Sequence, residues 1–243
     1  MKKLMFLLFL ISVASSAKAQ DSTVVSDYET WAGVSVQKSF LKKKLELGFT
    51  QEFRFDDNST HLDQYFSELT LDYEFYKGFK IGGGYRFIRN NKNSGYKNEQ
   101  RLFADLSYKH KIDRWTLNYR LRFQNHDELG VSRDAGDDIT QKYRLRVKAG
   151  YNIKNWKVDP YVSVEGFFAR ENRGVNYIES ITERVIYSGF EKLRYTIGLD
   201  YSVKKWFEIS AYYRIEQGFK SYPAAFNTPT ILYVGGLNLT FKL

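Results

Sequence analysis

The sequence predicts an all-β chain closed into a single antiparallel transmembrane β-barrel of ten to twelve strands in up-and-down order. Three observations predict it. Apolar and polar residues alternate with a period of two almost from end to end, and helical periodicity is scarce. Nineteen Tyr and 19 Phe against 3 Pro favour strands over helices. Within each strand the charged side chains fall on one row and the apolar ones on the other, which fixes the solvent on each side.

Residues 1–19 form a signal peptide in this reading. Lys2 and Lys3 make a basic head, Leu4 to Val13 an apolar run, and Ala17-Lys18-Ala19 the small-x-small pattern of a cleavage site. The apolar run is shorter than the ~20 residues that a spanning helix needs. Cleavage after Ala19 leaves residues 20–243 as one barrel domain, and no later stretch is long and apolar enough for a membrane helix. The formal charge of +9 counts Lys2, Lys3 and Lys18 and falls to +6 without them. The remaining positive charge is spread along the chain and not gathered in a tail, so nucleic acid is not an expected partner. The chain has no cysteine, which excludes disulfides and thiolate metal sites.

Eleven strands follow in order: 29–40, 44–55, 65–77, 79–89, 98–110, 115–125, 139–153, 156–168, 193–203, 207–217 and 231–243. In the second, Leu45, Leu47, Phe49, Phe53 and Phe55 stand on one row and Lys44, Glu46, Glu52 and Arg54 on the other. The sixth sets Trp115, Leu117, Tyr119, Leu121 and Phe123 against Arg120 and Arg122. The seventh sets Tyr143, Leu145 and Val147 against Lys142, Arg144, Arg146 and Lys148. Over all eleven the polar rows carry 29 charged residues and the apolar rows three, Lys38, Lys77 and Arg89, all at or near strand ends. A soluble barrel puts its apolar row inside. The inverse arrangement is what lipid demands, since lipid leaves no backbone group unpaired and forbids an open sheet edge. The expected location is therefore the bacterial outer membrane, and the expected partners are its lipid and the barrel-assembly machinery.

The connections alternate in length. Short turns lie at 41–43, 77–78, 111–114, 154–155 and 204–205, and longer polar loops at 56–64, 90–97, 126–138, 169–192 and 218–230. Outer-membrane barrels keep short turns in the periplasm and long loops outside. Aromatic pairs near the turns, Tyr108 with Trp115, Tyr151 with Trp156 and Tyr73 with Phe79, predict an interfacial girdle, with Phe207 better placed for it than Trp206. Eleven strands are at odds with the even count usual in bacterial barrels. Either residues 20–28 thread the lumen, or a twelfth strand lies near Ile178 to Ile186.

Glu29-Thr30-Trp31, Glu52-Phe53-Arg54-Phe55, Gly84-Tyr85-Arg86-Phe87-Ile88-Arg89 and Asn155-Trp156-Lys157-Val158-Asp159-Pro160-Tyr161 together resemble DUF2490, a family of uncharacterised outer-membrane barrels common in Bacteroidota-type bacteria. The resemblance covers nearly all of the chain after residue 19. It implies the fold and the location and brings no catalytic residue. Leu237, Leu239, Phe241 and Leu243, with Gly236 before them, look like the terminal strand that assembly machinery recognises.

No constellation argues for an enzyme. His126 lies near Asp127, Glu128 and Ser132, but one polar loop does not set a nucleophile against a base, and the expectation is a solvated histidine. His-Glu-x-x-His is absent, and Asp134, Asp137 and Asp138 do not have EF-hand spacing, so no cofactor or metal is expected. The informative pattern is the sign of the lumen charge. Glu46, Glu52, Glu68, Asp72 and Glu74 project inward from strands two and three, and Arg120, Arg122, Lys142, Arg144, Arg146 and Lys148 from strands six and seven. Facing acidic and basic walls suit a narrow charge-lined, porin-like channel. Joined across the lumen, they would instead plug a structural barrel. An enzyme acting on envelope lipid or peptide, and a surface binding protein using loop 169–192, are the other classes. Oligomeric state is not legible.

Overall fold

The computed structural model describes residues 25–92, 95–130, 140–176, 181–219 and 230–243. The signal segment, most of loop 126–138 with Ser132 and the three aspartates, and most of loop 218–230 lie outside them.

The strands are β1 (Val25–Phe40), β2 (Leu45–Asp56), β3 (His61–Tyr76), β4 (Phe79–Lys92), β5 (Gly95–Ile112), β6 (Trp115–Glu128), β7 (Thr140–Tyr151), β8 (Val158–Asn176), β9 (Ile181–Lys204), β10 (Phe207–Gly218) and β11 (Thr230–Lys242). They close in chain order into one barrel, each paired antiparallel with the next. The closing seam between β1 and β11 is parallel, from Val25↔Thr230 to Gln37↔Lys242. Eleven up-and-down strands leave the first and the last running the same way, so no antiparallel closure exists for them. Neither escape from the odd count is taken: residues 25–28 stand in the wall, and Ile181 to Ile186 belong to β9.

Two expected loops prove to be strand. β8 and β9 continue past the last rungs they share with β7 (Thr140↔Glu171) and β10 (Gly218↔Lys192), and there pair with each other, as in Asn172↔Ile186 and Arg173↔Val185. Of the expected loop 169–192, the described residues 169–176 and 181–192 are therefore strand. Loop 90–97 shrinks likewise, since β4 reaches Lys92 and β5 starts at Gly95. The reason is physical. Beyond the barrel rim a strand has no apolar side to alternate against, and backbone pairing alone can carry it.

The alternation decides which side chains are wet. The outward row stays exposed although it is apolar: Leu121 is 52% exposed and Leu145 59%, with Phe49, Leu69, Leu102, Ile197 and Leu237 alongside. The inward row holds the buried charges, Glu52, Asp105, Arg122, Glu165 and Glu216. At the short-turn end, aromatic rings meet across strands: Phe79 stacks on Tyr108 at 4.2 Å, Trp115 meets Tyr151 at 4.9 Å, and Phe207 stacks on Phe241 at 5.0 Å. The rings in contact are cross-strand neighbours, Tyr108 with Phe79 and Trp115 with Tyr151.

One close approach shapes the interior. Gly198 on β9 stands directly opposite Tyr212 on β10 and Tyr161 on β8. The Tyr161 ring occupies the space where a side chain at 198 would sit, and the Tyr212 ring does the same over Gly236. Tyr212 then packs with Trp31 and Val234 as a small buried cluster inside the barrel.

Candidate functional site in the barrel lumen

Register builds the site. Between β6 and β7 the lumen rungs are Asn118↔Lys148, Arg120↔Arg146, Arg122↔Arg144 and Gln124↔Lys142. Two pairs of arginines therefore face each other directly. Like charges on opposed positions destabilise a sheet by roughly 0.2–1 kcal/mol each unless something compensates them.

The compensation comes from the flanking strands. Arg122 donates two hydrogen bonds to Asp105 on β5, Nε to Oδ1 at 2.7 Å and Nη2 to Oδ2 at 2.6 Å, the forked geometry that favours Arg–carboxylate pairs. On β8, Glu165 is 3% exposed and takes three guanidinium groups. Arg144 donates through Nη2 to Oε1 at 3.0 Å and to Oε2 at 2.9 Å. Arg120 reaches Oε1 at 2.7 Å, and Arg194 of β9 reaches Oε2 at 3.3 Å. Arg194 also holds Glu216 of β10, which takes Lys192 at 2.6 Å as well. Lys142 binds Glu191 at 2.7 Å and Lys148 binds Asp200 at 3.0 Å.

The acidic set divides. Glu52 pairs with Arg54 at 2.7 Å and Glu68 with Arg86 at 2.6 Å. Glu46 and Asp72 face each other across β2 and β3, and Glu74 accepts from the backbone N–H of Gly78, all towards the short-turn end. Of the two alternatives for these walls, the described ion pairs do not include their joining across the lumen. No carboxylate of β2 or β3 forms an ion pair with the six basic residues of β6 and β7, whose described partners lie on β5, β8 and β9. Cross-strand neighbours sit ~5 Å apart, well within side-chain reach, whereas the far wall is a barrel width away.

Aromatic rings on the lumen row complete the packing. Arg54 lies 3.6 Å over Trp31, Arg86 3.8 Å over Phe66 and Arg122 3.8 Å over Phe103. Arg144 and Arg194 share Phe167 at 4.5 and 4.8 Å, and Arg214 lies between Trp31 and Tyr212 at 4.7 and 4.6 Å. A desolvated cation over a ring gains about 2 kcal/mol. Sequence reading passed over these rings, although an aromatic on an otherwise charged row was the available signal.

The surviving space is a cavity of about 420 Å³. It is lined by Glu52, Glu68 and all six basic residues of β6 and β7, and not by Glu46, Asp72 or Glu74. Twelve Lys and Arg line it, and eight carboxylates pair with them, which leaves a surplus of four positive charges. His126 also lines it, directly opposite Arg101 across the strands, so it is a half-buried lumen residue and not the solvated loop histidine expected. Asp127 stands on the other row and accepts from Gln100, so it is not coupled to His126. His61 is exposed and bound to Asp56 at 2.7 Å, and His110 stacks on Tyr108 near a turn. Among the described residues no cluster of His, Asp and Glu has metal-binding geometry.

A search of the curated proteins finds no match to the chain. The profile described as "Protein of unknown function (DUF2490)" matches residues 28–227, which takes in most of β1 and all of β2 to β10. The chain, a closed eleven-stranded barrel with a cationic lumen, belongs to the DUF2490 family.

Proposed function

We propose that the chain is an integral outer-membrane barrel, exported by its N-terminal signal, that offers small anions a narrow passage. One observation carries the reading: apolar side chains are exposed outside, while the lumen cavity holds a surplus of four cations. An exposed apolar exterior is tolerable only against lipid, and a closed barrel leaves no strand edge unpaired there. Short turns then face the periplasm and the β8–β9 hairpin projects outside. A positive lumen admits anions and rejects cations. Five of the six basic side chains of β6 and β7 are paired with carboxylates of β5, β8 and β9, and a cavity of about 420 Å³ remains beside them.

Single-channel recording of the refolded protein in a planar bilayer tests this. The expected result is a small, steady conductance with anion preference, reduced or reversed by Arg146→Glu. A barrel that inserts and stays silent overturns the passage and leaves a sealed structural barrel. Failure to insert into lipid overturns the membrane reading itself.

A further inference from the structure

Two of the cations that line the lumen cavity, Arg146 and Arg214, stand outside its ion pairs, and Arg146 is the one set opposite another arginine. Among the described residues it has no carboxylate at ion-pair distance. Its cross-strand neighbours are Arg120 on one side and Glu165 on the other, and Glu165 is already committed to Arg120, Arg144 and Arg194. The Nε atoms of both Arg120 and Arg146 are buried without any hydrogen-bond partner. Buried donors are nearly always satisfied by protein, water or ligand. Here two orphaned guanidinium N–H groups stand on directly opposed positions beside a cavity of about 420 Å³.

We propose that the lumen contains a binding seat for a phosphate-class oxyanion, held between Arg120 and Arg146. Two donors on facing strands call for an acceptor whose oxygens point in several directions, which a tetrahedral phosphate has and a chloride lacks. Two further cations border the same space: Arg214, whose Nε donates only to Thr196, and Lys148. An oxyanion of two negative charges would relieve both the like-charge contact between Arg120 and Arg146 and half of the cationic surplus. The inference rests on the reading of these side chains as lumen residues, but it needs no through path. The same chemistry has two sources, a free phosphate or phosphomonoester and the headgroup of a phospholipid entering at the rim.

The test is a titration of the refolded, full barrel in zwitterionic detergent with inorganic phosphate, followed by calorimetry and phosphorus NMR at constant ionic strength. The expected result is saturable binding of one phosphate per barrel, weakened roughly tenfold or more in R146Q and R120Q and unchanged in K242Q. Binding that does not saturate, or that R146Q leaves intact, overturns the seat. Should the variants not refold, the wild type decides alone: phosphate that binds no better than chloride overturns it. Displacement by a soluble phosphomonoester only assigns the seat to a solute, and displacement by mixed micelles carrying phosphatidic acid assigns it to a headgroup, both within the proposed class. A silent bilayer recording leaves this titration readable, and a conducting barrel without phosphate binding loses the seat alone.

Discussion

The two sides of the lumen hold their charges differently. Along β2 to β4 each carboxylate of the cavity has one cation, Glu52 with Arg54 and Glu68 with Arg86. Along β8 to β10, Glu165 serves three cations and Glu216 two. A one-to-one pair fails locally when either member is lost. A shared carboxylate that fails sets several buried cations against one another, in a medium where each is costly to leave uncompensated. The β8–β10 side is therefore the stiffer and the more vulnerable of the two.

The largest expected effect breaks that side at its centre. Glu165→Gln should cost about 3–5 kcal/mol in equilibrium denaturant unfolding of the refolded barrel, because Arg120, Arg144 and Arg194 lose their common partner. A loss below that of Glu68→Gln would sink the contrast. Gly198→Val attacks the same side without touching charge. The Tyr161 ring must leave its place over β9, for about 3 kcal/mol by the same unfolding measurement. Glu68→Gln leaves a single cation, Arg86, still stacked on Phe66, and should cost about 1–3 kcal/mol. Arg146→Gln sharpens the comparison from the opposite direction. Without phosphate it removes a like-charge contact and no ion pair, so stability should rise by about 0.2–1 kcal/mol. A clear loss in that variant would mean that Arg146 has a partner after all.

Much of this molecule was legible in period two. Each of the eleven strands contains the stretch that the alternation assigned to it, give or take two residues at the ends, and the family assignment agrees with the motifs at Trp31, Phe53 and Tyr85. What alternation does not carry is which strand lies beside which charge. Arg144 and Glu165 are 21 residues apart, and only the β7–β8 register brings them together. The parallel seam was illegible for the same reason, since no row pattern tells Val25 that Thr230 is its neighbour. The outer reaches of β8 and β9 read as loop because Arg170, Glu171, Asn172 and Arg173 follow one another without an apolar row. Trp31, Phe66, Phe103 and Phe167 fall on the charged row, where alternation assigns an aromatic ring no role. They are the platforms on which the guanidinium groups lie.

The parallel seam has a consequence for how such a barrel can be rearranged. In an even-stranded meander the first and last strands are antiparallel, so a few residues can join them and the chain can be reopened elsewhere. Here Val25 stands beside Thr230 and Gln37 beside Lys242, so the start of β1 and the finish of β11 lie at opposite rims. A circular permutant would need a connector running the full height of the wall. Hairpin duplication, which adds strands two at a time, preserves this oddness and never removes it. Gain or loss of a single strand would move one chain terminus to the other side of the barrel.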